Sequence, residues 1–210
     1  MISYICRKTA EALGRQLDAN TDQVAVYAYG LEILLGSMIK LVLIILGAVL
    51  LGILPTTLIF TLTLVLFRWL GGGIHLKTYL RCLTVGLFMI LGMSYVAVLE
   101  IDTAYVYTVF LSALFIALYV IVRWVPADTE KKRITNMEKR LKQKKESLWA
   151  LGVWSLVVLA FLAHNFPAYA LAASLGSLCS SFLMMPIGYR FIDSLDNILA
   201  VFSKGGEEVV

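Results

Sequence analysis

Two side chains able to do covalent chemistry, His75 and Cys82, stand seven residues apart in the stretch FRWLGGGIHLKTYLRC, Phe67 to Cys82. A cysteine attacks a carbonyl carbon as its thiolate, and an imidazole is a common base for making one. An unassisted thiol titrates near about 8.5, so only a few per cent is ionised at neutral pH. A helix N-terminus and nearby cations both favour a thiolate, and Arg68, Lys77 and Arg81 supply cations in this stretch. On one straight helix the pair would share a face, yet lie roughly 10 Å apart along the axis. That exceeds the ~2.6–3.2 Å that a nucleophile and its base need. If the pair works together, the chain between them must bend or unwind, and the run Gly71, Gly72, Gly73 just before His75 loosens the backbone there. Residue types alone leave the bland readings open: Cys82 as a small packing residue and His75 as an interfacial hydrogen-bonder.

Other reactive residues carry less. Cys6 and Cys179 have no base near them in sequence and read as packing residues. Three cysteines make an odd count with no pairing pattern, and no CxxC or His/Cys cluster suggests a metal or a cofactor. His164 sits beside Asn165, far along the chain from the pair; Glu32 and Lys40, eight apart, share a helical face without an evident role. No acid is evident near His75, so a dyad is expected rather than a triad.

The elements that position the pair are membrane helices. Of the 210 residues 60% are hydrophobic and 15% charged, with a mean hydropathy of +0.85. A soluble domain averages about 45–50% apolar and about 25% charged, so lipid must solvate most of this surface. The expected fold class is an all-α polytopic bundle of about six spans. They fall near Leu34 to Leu54, Thr56 to Leu70, Tyr79 to Leu99, Ala104 to Trp124, Leu148 to Asn165 and Ala168 to Tyr189, each near the ~17–25 residues a crossing needs. Residues Val24 to Ile33 could extend the first span into one long helix. The first twenty residues hold no apolar signal-peptide core; Ile2, Ile5, Cys6, Thr9, Leu13 and Leu17 instead follow helical spacing. They suit an amphipathic interfacial helix or a helix that caps the bundle.

A single domain over residues 1–210 is expected. It comprises an interfacial segment 1–33, spans 1–4 over 34–124 with the reactive stretch 67–82, a basic loop 125–147, spans 5–6 over 148–190, and a tail 191–210. With the N-terminus inside, the outer loops (Pro55, Glu100 to Thr103, His164 to Pro167) hold none of the 18 basic residues. The positive-inside rule then places both termini and the reactive stretch on the cytoplasmic face. Between Pro126 and Ser147 lie eight basic residues, among them Lys131 and Lys132, with four acids. The run reads as a topology anchor against anionic lipid or as a docking surface for an acidic peptide. It lacks interleaved aromatics, and no nucleic-acid partner is expected.

The order Arg68, Gly73, His75, Cys82 resembles the active-site stretch of the accessory gene regulator B family, bacterial membrane peptidases that process precursors of cyclic quorum-sensing peptides. A second stretch, VPADTEKK (Val125 to Lys132), resembles the segment after the family's fourth span, so the resemblance covers nearly the whole chain. It implies a cysteine-type endopeptidase of the bacterial cell membrane, with Cys82 as nucleophile and His75 as base and no cofactor. Its partner would be a short amphipathic peptide precursor with an acidic tail, and the enzyme a homodimer. Arg68 and Gly73 match motif positions; Arg68 would orient a substrate carboxylate or anchor its span at the interface. Lys131 and Lys132 match the basic pair of the second motif, with substrate contact as the implied role. Two other classes compete: a peptide exporter without covalent chemistry, and a scaffold whose thiol is incidental.

Overall fold

The computed structural model describes residues 2–74, 76–127 and 137–205, without the side chains of residues 2 and 201–205. The described residues form eight helices and no strand, and six of the helices are long and apolar enough to cross a membrane. The all-α polytopic bundle expected from the sequence is thus the observed architecture. By contacts the chain divides into two compact units, Met1–Gly47 and Ala48–Val210.

In the first unit, α1 (Ile2–Gln16) turns through Asp18, at φ 47°, into α2 (Thr21–Leu50). Asn20 and Gln23 exchange side-chain and backbone bonds of 2.9 Å each way, a capping box that satisfies two amides at the start of α2. Cys6 and Ala10 form the buried stripe of α1. The segment preceding the expected first span joins it in α2, one unbroken helix of 30 residues.

The second unit is built around α7 (Pro167–Met184), which packs on α3 (Leu54–Gly71), α4 (Tyr79–Val96), α5 (Thr103–Trp124), α6 (Met137–Ala163) and α8 (Pro186–Gly205). Lipid offers no hydrophobic drive to bring helices together, so close packing of small residues must do it. Helix α7 supplies them: Ala170, Ala172, Ala173, Ser174, Gly176, Ser177, Ser180 and Ser181 are all buried. At Gly176 an added Cβ would stand 2.7 Å from the Phe60 carbonyl oxygen, so α3 and α7 touch backbone to backbone. The matching stripe on α3 is Thr56, Thr57, Phe60, Thr63, Leu64, Phe67 and Gly71, at helical spacing. Trp154 of α6 closes the middle of the unit, with its ring centroid 5.7 Å from Phe67 and 5.8 Å from Phe110.

Two boundaries differ from the sequence reading. Helix α6 begins at Met137, eleven residues before the expected span at Leu148, so the latter part of the basic loop is helical. No Pro or Gly interrupts residues 137–147, and Lys142 and Glu146 pair one turn apart at 3.9 Å. The expected sixth span stops at Met184, because Met185 precedes Pro186 and is extended (ψ 153°), as a residue before proline prefers. The chain restarts as α8, which carries exposed Ile187, Phe191 and Ile198.

If the contact at Gly176 holds α3 against α7, Gly176→Ala should overpack it at a cost of about 1–3 kcal/mol. Its thermal melt in lipid nanodiscs should fall by several degrees. Gly92→Ala, where an added Cβ meets nothing within 4 Å, should melt no lower than the parent.

Candidate active site

The reactive stretch leaves α3 through its last turn. A helix end exposes carbonyls that need donors, and in lipid each must find one within the protein. Three of them are satisfied here. Arg68 O accepts the Gly72 N–H (2.9 Å), Leu70 O accepts Gln143 Nε2 of α6 (2.5 Å), and Gly71 O accepts the Ala127 N–H (2.7 Å). Gly72 and Ala127 form an isolated parallel bridge. The glycine stretch and the Val125–Ala127 start of the second motif, more than fifty residues apart in sequence, are therefore in direct backbone contact.

The backbone contacts account for the glycines. Gly72 sits at φ 84°, and a Cβ there would lie 2.7 Å from Ala127 O; Gly73 sits at φ 123°, with Leu183 O at 3.0 Å and Arg68 Nη1 at 3.3 Å from a Cβ. Both conformations belong to the region that side chains disfavour. Beyond them, the Ile74 N–H donates to Leu183 O (3.4 Å), and Arg68 Nη2 donates to Ile74 O (2.7 Å). The segment is thus held between the start of the second motif on one side and the end of α7 on the other.

Cys82 lies in the first turn of α4, where its N–H donates to Thr78 O (3.1 Å), and it is half-buried as a free thiol. Arg68, from the neighbouring helix, is within electrostatic reach of both Cys82 and Tyr189 of α8. One guanidinium therefore fixes the loop carbonyl at Ile74 and places positive charge within electrostatic reach of Cys82. The cation that the sequence assigned either to a substrate carboxylate or to the interface is half-buried and directed at the reactive stretch.

The structure brings Cys82, Arg68 and Gly73 together. His75, Lys131 and Lys132 lie outside the described residues. Residues 72–74 and 76–78 belong to no helix, so α3 and α4 are separate helices and the straight-helix spacing does not apply. Sequence reasoning missed an acid on this side. Asp196 of α8 is buried, with Oδ1 3.3 Å from Arg81 Nη1 and 3.4 Å from the Lys77 amide nitrogen. Its signal was the apolar spacing of residues 187–198, which marks an amphipathic helix rather than a tail. Tyr189 was missed for the same reason. His164 is exposed at the end of α6, and Glu32 belongs to the first unit. Among the described residues, no group of three or more His, Cys, Asp or Glu could hold a metal ion.

The chain is similar to known proteins over most of its length. A family model described as accessory gene regulator B matches residues 6–184. The AgrB-like protein 2 of Clostridium perfringens is 24% identical over 181 residues, covering 82% of this chain and 83% of the relative. The accessory gene regulator protein B of Staphylococcus aureus is 27% identical over 158 residues, covering 75% and 80%. No solved structure matches the chain.

Arg68→Lys keeps the charge and loses the planar fork that reaches Ile74 O. A hydrogen bond from a charged donor contributes about 1.5–3 kcal/mol, so backbone amide exchange at Ile74 should quicken tenfold or more, read by hydrogen–deuterium exchange with mass spectrometry. Unchanged exchange there would show that Arg68 does not hold the loop.

Proposed function

The chain belongs to the accessory gene regulator B family, and on that premise we propose that it is a membrane cysteine endopeptidase of quorum-sensing peptide processing. Its substrate is a short amphipathic precursor with an acidic C-terminal tail. The observation that carries the reading is the backbone contact between the two motifs, with Arg68 bonded into the loop and close to Cys82.

In the proposed reaction His75 takes the Cys82 proton and the sulfur attacks the precursor's scissile carbonyl. The C–S bond forms, the C–N bond breaks, and His75 returns the proton to the departing amine of the tail. The precursor core then remains as a thioester on Cys82. A cysteine thiol or serine hydroxyl within the core attacks that thioester, its proton passing through His75. The thiolactone or lactone ring closes and Cys82 is released. Held close to the acyl carbon, the internal nucleophile has a high effective concentration, and a site that limits water protects the thioester. The amides of Gly72 and Ile74 already donate to Arg68 O and Leu183 O. The oxyanion donors then come from the Gly73 amide or from the start of α4, where the helix dipole also favours negative charge.

Several further features belong to the proposal. The site and both termini face the cytoplasm of a bacterial cell, which is supported by basic residues confined to that side. Lys131 and Lys132 draw the acidic tail toward the site. The working unit is a homodimer in the cell membrane.

Co-expression with a precursor tests the reaction. Cys82→Ala and His75→Ala should each reduce cleavage at least a hundredfold, and wild type should yield a hydroxylamine-labile adduct on Cys82. Cleavage that persists in Cys82→Ala would refute the peptidase reading. Export of uncut precursor would favour a transporter.

A further inference from the structure

We propose that Asp196 is a positioning residue for Cys82, acting from α8 on the turn that delivers the nucleophile. Asp196 lies beyond residues 6–184, the part of the chain that the family model matches. Its side chain is only 3% exposed, and a carboxylate removed from water must be compensated by charge and hydrogen bonds. The compensation comes from the residues just before the nucleophile. Arg81 Nη1 donates to Asp196 Oδ1 and to its backbone oxygen, both at 3.3 Å. The Lys77 amide donates to Oδ1 at 3.4 Å. Lys77 Nζ also stands 3.9 Å from Oδ2, but that side chain is 65% exposed against 20% for Arg81, and exposed pairs contribute little. The Arg81 contact and the Lys77 amide dominate.

The two contacts bracket the turn that holds the sulfur. Lys77 precedes Thr78, whose carbonyl receives the Cys82 N–H, and Arg81 immediately precedes Cys82. Thr78 has no side-chain capping bond to close the start of α4. Asp196 does from another helix what a cap would do locally: it ties residue 77 to residue 81. Helix α8 is itself fixed. Gly188 packs against the Phe182 backbone so tightly that a Cβ would collide, and Phe182 and Phe191 meet edge to face at 5.6 Å. The position of the nucleophile thus depends on a helix that follows the last span.

The kinetic arm rests on the peptidase reading above; a second arm does not. The full chain in nanodiscs is compared as wild type, Asp196→Asn, Asp196→Glu and the charge swap Arg81→Asp with Asp196→Arg, with exposed Asp193→Asn as control. Asp196→Asn should lower kcat for precursor cleavage tenfold or more with KM changed less than threefold. Maleimide should label Cys82 at least threefold faster as the turn loosens. The swap should recover at least a third of the wild-type kcat and the slower labelling, Asp196→Glu should fall between, and Asp193→Asn should match wild type. Wild-type kcat and labelling in Asp196→Asn would overturn the proposal. So would an equal loss in Asp193→Asn, or a loss that tracks a lowered melting temperature and that neither the swap nor Asp196→Glu restores. If Cys82→Ala still cleaves, the peptidase reading falls, and the labelling rates alone decide the clamp.

Discussion

A chain that breaks its helix at the edge of a bilayer must find partners for every backbone group it frees, and in this protein that requirement organises the site. At the end of α3 the Ala127 N–H and the Gln143 amide supply donors to Gly71 O and Leu70 O, and in the following segment Leu183 O and the Arg68 guanidinium take up the Ile74 N–H and Ile74 O. Only a chain without Cβ atoms fits so close to Ala127 and Leu183, which is why Gly72 and Gly73 stand there at positive φ. Once the break is held in this way, α4 begins as a new helix and Cys82 arrives in its first turn within electrostatic reach of Arg68.

The rest of the second unit serves that arrangement. Helix α7 brings α3 close through small residues, so its end can offer Leu183 O to the loop. Helix α6 starts early enough to reach Leu70 O with Gln143 and Val122 O with Lys144. Helix α8 packs on α7 and places Asp196 against Arg81. Bonds from four different helices and one connecting segment thus converge on about fifteen residues, which is how a site in a largely apolar protein acquires fixed geometry.

Much of this was legible in the sequence. Six spans follow from composition and from ~20-residue apolar runs, and the glycine run flanked by Arg68, His75 and Cys82 announces a bend that carries chemistry. The contact between Gly72 and Ala127 was not legible, because a backbone bridge leaves no side-chain pattern beyond the glycine itself. Asp196 was hidden for a different reason. Pro186 splits what reads as one long span running into a polar tail, and the periodic Ile187, Phe191 and Ile198 emerge only once that break is accepted. The early start of α6 was obscured by charge, since a run rich in lysine reads as a loop although lysine and glutamate are good helix formers.

The proposed reaction requires the His75 imidazole to reach the sulfur of Cys82. Disulfide trapping tests it most directly, because a disulfide needs Cα atoms about 4.4–6.8 Å apart. With His75→Cys introduced and Cys6 and Cys179 replaced by serine, mild oxidation in nanodiscs should join positions 75 and 82 rapidly and nearly completely, as read by peptide mass spectrometry. If both thiols label freely with maleimide yet form no disulfide under the same oxidation, the two side chains do not meet and Cys82 and His75 are not a catalytic pair.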